Sequence, residues 1–430
     1  MKLLLITYDY EPIISPRAFR WSSIAKHWAE KAHNIDVVCA WRPGLTKKQD
    51  YGNIRVYRVG PSLMQVLKNR MNGSYAIPEM PSEKSGNSSF FMRLRPLIKQ
   101  IYDHTWKKIY WPDFACLWYF PATRKAKQLL KNQNYDALIS VSHPFTGHLI
   151  GLALKKRYPE MKWLVDIGDP FCFLDRTSPN NRNLFRKLNY SVEQKIFNLA
   201  DQIVVTTGST RDEYSKIFSD SQQKNHVIPP MISSTNQNIE RSVLSDDIKN
   251  KLVFIGTLYK SIRNPDFLLK LFVSLLQKQP EENLELHFWG NTSECGDCFD
   301  KYQGLLNNKI FLHGTVGHEK IPQIMNEAKV LVNIGNDTLY QLPSKVVEYA
   351  HSGRPILNIV KTFEDSSVDF FKPYPAILNL VDDNNVFSER VEKLNQFIKA
   401  PPQIEPVALQ QWLALFHVDS IADSYEKLLV

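Results

Sequence analysis

Three side chains near the start of a predicted helix have the types and spacing of an anion-binding site. Ser344, Lys345 and Glu348 follow a buried apolar strand, in the segment LPSKVVEYAHSGRPIL. Free N–H groups of a helix start, with the Ser344 hydroxyl and the Lys345 cation, would hold a phosphate-sized anion. A phosphate would repel Glu348, so we expect its carboxylate to accept hydrogen bonds from the hydroxyls of a ribose. The alternative is a capping serine and a Lys345–Glu348 ion pair at the surface.

A second group of candidates lies in FIGTLYKSIRNP, again directly after a predicted strand. Gly256 would let the backbone pass close to a ligand, and Arg263 would bind a diphosphate through two N–H groups. Lys260 adds a further cation. The alternative is a basic loop that is only solvated.

Loops in the first half of the chain carry further polar side chains. Asp169 follows a strand in VDIGDPF, and His143 follows another in VSHP. A carboxylate or imidazole at a strand's carboxyl end can act as a base or bind sugar hydroxyls, so both are candidate catalytic residues. Asp169 also fits an Asp-Pro turn, and His143 a structural hydrogen bond.

The loop before the first helix is a candidate lining of the same cleft. Ser15 is predicted to be the N-cap there, with Pro16 at the first helical position. Arg17 and Arg20 follow in the first turns. We therefore include Ser15, Arg17 and Arg20 as acceptor-site or cleft residues.

These loops are positioned by alternating strands and helices. The strands are continuous apolar runs, which is typical of strands buried on both faces of a parallel sheet. The predicted strands are Lys2–Thr7, Ile35–Ala40, Ile54–Val59, Ala137–Val141, Trp163–Asp166, Gln202–Thr206, Leu252–Gly256, Leu284–Gly290, Lys309–Gly314, Lys329–Gly335, Pro355–Val360 and Ala376–Val381. A polar stretch at 227–249 separates them into two α/β domains, each an open parallel sheet that binds ligands at its carboxyl edge.

Composition excludes several classes of protein. The 430 residues are 43% hydrophobic and 23% charged, which is typical of a globular protein with two or three domains. Five cysteines fit a reducing compartment, and the short apolar run at the N-terminus predicts a first strand, so we expect a cytoplasmic protein. No dinucleotide or P-loop glycine pattern occurs, which disfavours a Rossmann dehydrogenase and a P-loop ATPase. No Asp-x-Asp pair calls for a metal.

A net charge of +9 is concentrated partly in an aromatic segment at 90–131. Trp106, Lys107, Lys108 and Trp111 would suit docking on an anionic membrane surface, with aromatic rings at headgroup level. The alternative is that these aromatics cover the first domain's core. Nucleic-acid binding is not expected, because no recognised fold signature accompanies the charge. The Cys295–Cys298 pair is expected to be incidental rather than half of a zinc site.

The order of the motifs resembles glycosyltransferase family 4, which acts on nucleotide sugars and has the GT-B fold. FIGTLYKSIRNP and LPSKVVEYAHSGRPIL are the strongest matches. WPDFACLWYFPATRKAKQLL, SVSHPFTGHLIGLALKK and WLVDIGDPF look like segments of a subgroup that acts on lipid-linked or surface-polysaccharide acceptors and carries a Pro-Ser-Lys…Glu donor-site signature.

The resemblance implies two Rossmann-like domains facing a cleft, with a C-terminal helix that crosses back to the first domain. The implied boundaries are an acceptor domain at 1–230 with an insertion at 75–131, a linker at 231–250, a nucleotide-sugar domain at 251–405, and helices at 406–430 that pack back on the first domain.

The resemblance also implies roles for particular residues. Glu348 matches the family's ribose-binding glutamate, and Arg263 falls where the family has a basic residue on the diphosphate. Asp169 lies in the loop where many members have a histidine. The chain departs from the family at Tyr340, where a first glutamate often stands, and at Thr257, where an arginine is frequent.

The implied activity is that of a hexosyltransferase that uses a UDP- or GDP-sugar and retains the anomeric configuration. It needs no cofactor or metal, and its acceptor is a glycan or a polyprenyl-diphosphate-linked sugar in cell-surface polysaccharide synthesis. The implied location is the cytoplasm, peripheral on the inner face of the membrane. A non-catalytic nucleotide or sugar binder and a sugar-nucleotide epimerase of the same fold stay open as alternatives.

Overall fold

The computed structural model describes residues 1–60, 109–174, 178–232, 250–280, 282–336, 339–343 and 345–430. These residues form two compact units. Unit 1 comprises Met1–Thr206, Arg211–Ile228 and Ile421–Val430, and unit 2 comprises Thr207–Thr210 and Pro229–Ser420. Each unit is an α/β sheet with helices, as predicted.

Unit 1 is built on an eight-stranded sheet. Its strands are β1 Lys2–Ile6, β2 Asn34–Ala40, β3 Lys48–Tyr51, β4 Ile54–Val59, β5 Ala137–Val141, β6 Lys162–Asp166, β7 Gln202–Val205 and β8 Asn225–Val227. Its helices are α1 Pro16–Glu30, α2 Tyr119–Asn132, α3 Thr146–Arg157, α4 Arg182–Leu199 and, from Arg211 onward, α5 Gly208–Ile217. The strand order is β3-β4-β2-β1-β5-β6-β7-β8, and every neighbouring pair is parallel except β3–β4.

The burial of unit 1 explains why its central strands are continuous apolar runs. All five residues of β5 are buried, because helices cover both faces of the sheet. The large rings of Trp21, Trp28 and Trp163 are fully buried. Ser15 caps α1 by accepting from the Ala18 N–H at 3.1 Å, and Pro16 opens the helix, so the predicted N-cap is confirmed. The antiparallel strand β3 was not predicted, since it is largely exposed and has no apolar run.

Unit 2 is built on a six-stranded parallel sheet. Its strands are β9 Lys251–Ile255, β10 Glu285–Trp289, β11 Ile310–Gly314, β12 Val330–Ile334, β13 Ile356–Val360 and β14 Ile377–Val381, in the order β11-β10-β9-β12-β13-β14. Its helices are α6 Asp266–Lys278, α7 Gly296–Asp300, α8 Ile321–Asn326, α9 Val346–His351, α10 Ser366–Phe371, α11 Phe387–Lys399 and α12 Pro406–Ala414.

The two C-terminal helices differ in what they pack against. The last helix, α13 Val418–Leu429, buries Tyr425 beside Trp21 at a ring distance of 4.9 Å in unit 1. The preceding helix α12 instead buries Leu409 and Leu413 in a core cluster of unit 2. The boundary predicted at 406 instead lies at Ser420, because the apolar side chains of α12 pack in the core of unit 2.

Candidate active site

The strand order of unit 2 places a crevice at the carboxyl ends of β9 and β12. β9 is the first strand of this unit, and its neighbours β10 and β12 extend the sheet in opposite directions. Loops that leave two such strands diverge, so ligands of open α/β sheets bind at this point. The predicted loop with Gly256 and Arg263 follows β9, and the loop with Asn336 follows β12.

Arg263 bridges these two loops. Its Nη1 donates to the Thr257 carbonyl oxygen at 3.2 Å, and its Nη2 donates to Asn336 Oδ1 at 2.7 Å. Asn336 is held in turn because its Nδ2 donates to the Gln341 carbonyl oxygen at 3.0 Å. Burial lowers the pKa of Arg263, and nearby Tyr349 opposes the shift. The buried Nε has no hydrogen-bond partner among the described residues.

Close backbone packing positions the start of the same loop. Gly256 has a φ of +154°, and its N–H donates to the Trp289 carbonyl oxygen at 2.8 Å. A Cβ on Gly290, whose φ is +128°, would lie 2.0 Å from the Gly256 oxygen. The loops after β9 and β10 therefore touch through two glycines, which leaves no room for a side chain at Gly290.

Glu348 lies on α9, which packs against the end of β9. The neighbouring Tyr349 hydroxyl accepts from the Ile255 N–H at 2.8 Å, which brings this helix to the crevice. Glu348 is largely buried, and its Oε2 lies 2.9 Å from Lys345 Nζ. The Lys345–Glu348 ion pair of the alternative interpretation is thus present, and it also places a carboxylate and a cation together near Arg263's loop. Ser344 lies outside the described residues.

A buried polar network behind this crevice was not found from the sequence. Asn333, Asn358 and Asn379 occupy paired positions on β12, β13 and β14, with side-chain hydrogen bonds of 2.7 and 2.8 Å. Asn358 Nδ2 also donates to Ser367 Oγ at 3.0 Å, and Ser367 Oγ donates to Asp365 Oδ1 at 2.6 Å. The network ends on the Asp365 carboxylate, and burial raises the pKa of this group.

Asp365 in turn adjoins the loop after β12. A Cβ on Gly335 would lie 2.7 Å from Asp365 Oδ2, so a larger residue there would displace the Asp365 carboxylate. The charge of Arg263 counteracts the effect of burial on the Asp365 pKa. The three asparagines lie 25 and 21 residues apart in the sequence, so only a known strand register could have predicted this network.

Lys260 is turned to a different partner. Its side chain is exposed, and its Nζ lies 2.5 Å from Asp297 Oδ2. The hydrogen bond from Lys260 holds the pKa of Asp297 below its ordinary value. Asp297 stands between Cys295 and Cys298, both of which are buried in the core of unit 2 as free thiols. Burial raises the pKa of Cys298 to about 12. In the described residues no group of three or more His, Cys, Asp or Glu side chains could hold a metal ion.

In unit 1, Asp166 at the end of β6 joins two helices to the sheet. It accepts from Trp21 Nε1 at 2.8 Å and from the Tyr425 hydroxyl at 2.7 Å, and Arg17 Nη1 lies at 3.1 Å. The Arg17 guanidinium packs so closely on Gly168 that a Cβ there would overlap it. Arg17 therefore reaches the loop that carries Asp169, which is exposed.

Arg20 was predicted to be an acceptor-site or cleft residue, but the structure buries it. It is buried, its Nη2 donates to the Tyr425 hydroxyl at 3.0 Å, and it also donates to the Ile228 carbonyl oxygen at 3.2 Å. Its position on α1 places it on the side of the helix that packs inward, so Arg20 is a structural residue.

His143 is exposed beside the switch point of unit 1, where β1 and β5 are neighbours. Its ring lies 5.4 Å from that of Phe114. The buried carboxylate of Asp113 accepts from the Ala115 N–H and from the N–H and hydroxyl of Thr146, at 2.7 to 2.9 Å. Asp113, which was not a candidate, therefore fixes the two turns that carry Phe114 and His143.

The candidates for membrane docking are only partly described. Trp106, Lys107 and Lys108 lie outside the described residues. Trp111 packs against the core of unit 1, and its Nε1 donates to Asn189 Oδ1 at 2.9 Å. Its indole is held by the fold, as expected for aromatics that cover the core. Within the described ranges, no helix is long and apolar enough to cross a bilayer.

Comparison with known proteins agrees with this architecture in both units. A model described as Glycosyltransferase Family 4 matches residues 91–235, and one described as Glycosyl transferases group 1 matches residues 249–361. Sucrose-phosphate synthase from Thermosynechococcus elongatus superposes with a TM-score of 0.66 at 13% identity, covering 99% of this chain and 98% of that one. The chain belongs to the GT-B glycosyltransferases.

Other GT-B structures are similar over the whole chain. The α,α-trehalose 6-phosphate synthase of Burkholderia multivorans has a TM-score of 0.64 at 10% identity, covering 100% of this chain and 98% of that one. Anabaena HepE, solved in complex with UDP-glucose, has a TM-score of 0.56 at 13% identity, covering 100% and 99%. At these identities the likeness concerns the fold.

A short stretch also resembles a protein of another kind. The chain is 30% identical over 99 residues to the chromosomal replication initiator protein DnaA of Methylobacillus flagellatus, which is 23% of this chain and 20% of that protein. It spans about a fifth of the length of the curated relatives it matches. So short a match transfers no activity to this GT-B family member.

Proposed function

We propose that the chain transfers a hexose from a UDP- or GDP-sugar to a glycan or polyprenyl-diphosphate-linked acceptor, with retention of the anomeric configuration. The observation that carries the proposal is Arg263, which spans the switch point of unit 2 with its buried Nε directed to no described partner. A nucleoside diphosphate supplies the anion that such a guanidinium binds. Membership in the GT-B family and the UDP-glucose complex of HepE support this ligand.

The chemistry follows from charge development. In the transition state the sugar resembles an oxocarbenium ion, and negative charge builds on the leaving diphosphate. Arg263 and Lys345 would stabilise that charge, so the proposed mechanism requires no divalent metal or cofactor. The Ser344 hydroxyl would be a polar group close to the diphosphate. Gly256 would let the loop backbone approach the diphosphate closely. Lys260 has a weaker claim, because it is paired with Asp297.

Glu348 would hold the ribose. Its carboxylate is largely buried, lies 2.9 Å from Lys345 Nζ, and offers oxygens that can accept hydrogen bonds from vicinal hydroxyls. The ribose is separated from the phosphates along the nucleotide, so a Glu348 carboxylate bound to the ribose would not repel the phosphates directly.

His143 and Asp169 would act on the acceptor side. Both are exposed at the carboxyl edge of the unit 1 sheet, and Arg17 lies beside Asp169's loop. An imidazole or carboxylate there can position or deprotonate an acceptor hydroxyl. We further propose a role in cell-surface polysaccharide synthesis, with the protein in the cytoplasm and peripheral on the inner face of the membrane.

Calorimetric titration with UDP and with GDP tests the donor site. We expect one nucleotide to bind the parent protein, and Glu348→Ala to weaken binding tenfold or more, about 1.4 kcal/mol. The matched control is Glu392→Ala, which also removes an ion pair, at 2.8 Å with Lys278 but on α11. Failure of both nucleotides to bind would refute the donor-site assignment.

Turnover separates the proposal from its alternatives. A transferase consumes the nucleotide sugar and attaches the hexose to an acceptor, measured as released UDP or GDP and labelled product. A protein that binds the nucleotide but never consumes its sugar is a non-catalytic binder, and one that yields a free epimer without acceptor is an epimerase.

A further inference from the structure

The segment 339–343 lies between the loop after β12 and helix α9. Two side chains donate to consecutive carbonyl oxygens of this segment. Asn336 Nδ2 donates to the Gln341 carbonyl oxygen at 3.0 Å, and the Thr210 hydroxyl donates to the Tyr340 carbonyl oxygen at 2.9 Å. Thr210 and Tyr340 are 130 positions apart in the chain. The backbone that leads into α9 is therefore held by a residue from a distant part of the sequence.

Thr210 belongs to a short stretch with three hydroxyl groups in series. It is only 2% exposed, and the stretch Thr207–Thr210 is part of unit 2, although the residues on either side of it belong to unit 1. The Thr207 hydroxyl accepts from the Thr210 N–H at 3.2 Å, as a capping side chain does at the start of a helix. The hydroxyl oxygens of Thr207 and Thr210 lie 2.8 Å apart, and Ser209 Oγ lies 3.2 Å from Thr207 Oγ1.

The hydrogens available to these hydroxyls determine the direction of their hydrogen bonds. A hydroxyl has one hydrogen to donate and two lone pairs that accept. Thr210 donates its hydrogen to the Tyr340 carbonyl oxygen, so the hydrogen between the two threonine oxygens must come from Thr207. Hydrogen bonds that run in one direction polarise one another, which strengthens the bond to Tyr340. The Thr210 hydroxyl therefore has no hydrogen left to donate to a ligand.

The same segment determines which way the Asn336 amide faces. A side-chain amide has an NH2 group on one side and a carbonyl oxygen on the other. Because the NH2 group donates to the Gln341 carbonyl oxygen, Asn336 Oδ1 faces Arg263 and accepts from its Nη2 at 2.7 Å. In the opposite orientation the NH2 group would face the guanidinium, which has donors only. The backbone at Tyr340 and Gln341 thus controls the orientation of Arg263.

We propose that Thr210 is a positioning residue that orients Arg263 for the diphosphate of the nucleotide. Its hydroxyl holds the backbone at Tyr340 and Gln341. That backbone orients the Asn336 amide, which keeps the Arg263 guanidinium in place. This inference rests on the proposed function, because it requires the diphosphate to bind at Arg263. The contact is made to a backbone carbonyl oxygen, so it does not depend on which side chain stands at position 340.

Nucleotide titration of Thr210→Val tests the inference. Valine has the shape of threonine but no hydroxyl, so one neutral hydrogen bond is lost, and we expect the nucleotide that binds the parent, UDP or GDP, to bind about fivefold more weakly. Thr210→Ser keeps the hydroxyl and should bind as the parent does. The matched control is Thr123→Val, since Thr123 is also buried, at 7% exposure, and its hydroxyl has no hydrogen-bond partner among the described residues.

Two further measurements distinguish a positioning role from a purely structural one. A nucleoside lacks both phosphates, so Thr210→Val should weaken diphosphate binding more than uridine or guanosine binding, which ligand-observed NMR measures. A general loosening of the fold would weaken both by the same factor. In a double-mutant cycle, Thr210→Val combined with Asn336→Ala should bind the diphosphate no more weakly than Asn336→Ala alone, because both changes act through the same amide.

The outcomes separate this inference from the proposed function. Parent protein that binds neither UDP nor GDP would refute both. If the parent binds, three results would overturn the inference alone: unchanged affinity in Thr210→Val, equal losses for diphosphate and nucleoside, or additive effects in the cycle. Circular dichroism checks the folding of each variant. If Thr210→Val does not fold, Thr210→Ala makes the same test, because it removes the hydroxyl without placing a methyl group next to Thr207.

Discussion

Arg263 Nη2 and Asn336 Oδ1 lie 2.7 Å apart, and this hydrogen bond joins the loop after the first strand of unit 2 to the loop after its fourth. The two residues are 73 positions apart in the chain. Their contact orients a planar guanidinium along the crevice while its Nε has no described hydrogen-bond partner. The donor site of the proposed transferase is therefore organised around one cation held from two loops.

Replacement of Arg263 by lysine should weaken UDP or GDP binding tenfold or more. Lysine keeps the charge but loses the planar fork that contacts both Asn336 and an anion. Calorimetric titration measures the change, and Lys260→Ala is the control, since that exposed lysine is paired with Asp297. A larger effect at Lys260 than at Arg263 would show that the diphosphate binds elsewhere on the loop.

Gly290→Ala should disturb the donor loop from the neighbouring strand. The added Cβ would overlap the Gly256 carbonyl oxygen, so the backbone must move, at a cost of about 1–3 kcal/mol of stability. We expect a lower melting temperature together with weaker nucleotide binding. Gly304→Ala, where a Cβ would meet no atom within 4 Å, is the control. Unchanged nucleotide binding in Gly290→Ala would mean that the Gly256 loop does not contact the nucleotide.

Tyr425→Phe should destabilise unit 1. It removes a buried hydroxyl that donates to Asp166 at 2.7 Å and accepts from Arg20 at 3.0 Å. Loss of hydrogen bonds to charged groups costs about 1.5–3 kcal/mol. The urea midpoint measures the effect, with Tyr51→Phe at a side chain 48% exposed as the control. Equal midpoints for the two variants would show that α13 contributes little to the stability of unit 1.

Stability should fall in mild acid because of His148. Burial lowers the pKa of His148 to about 3, while its Nδ1 lies 2.9 Å from Ser140 Oγ. The unfolded chain, with an ordinary histidine pKa of about 6.5, binds a proton that the folded protein excludes. The free energy of unfolding therefore decreases as the pH falls from about 6.5 towards 3, by about 1.4 kcal/mol per pH unit from this group.

The variant His148→Asn isolates this contribution. It keeps a polar group near Ser140 but does not titrate. Urea unfolding of parent and variant between pH 7 and 5 compares the two slopes, and the parent should lose more stability. Parallel pH profiles would show that His148 is accessible to protons in the folded protein.

Much of the fold follows from local sequence because each parallel strand is covered on both faces. The twelve predicted strands are all present with ends shifted by one residue or so, since continuous apolar runs end where the sheet ends. The strands β3 and β8 were missed because they are short, and β3 is polar and half-solvated at the edge of the sheet. The motif loops could be located because ligand loops follow strand ends in such sheets.

The partners of the candidate residues could not be predicted. Arg17 and Arg20 are separated by three positions on one helix, yet Arg17 reaches Gly168 while Arg20 is buried against Tyr425. Asp113 and Asp365 were not candidates because a lone aspartate has no distinctive spacing. Their roles come from contacts with Thr146 and Ser367 across separate elements.

The sequence by itself determined two α/β units, the strands that build them, the loop after β9 with its cations, and the segment at the start of α9 with Lys345 and Glu348. These features are local, since periodicity, helix capping and loop composition depend on neighbouring residues. Only the tertiary structure decided which side chains meet: Arg263 with Asn336, Asp166 with Tyr425, and the three asparagines that are in register across β12, β13 and β14. Such contacts depend on strand order and register, and those are set by packing over the whole chain rather than by any segment of it.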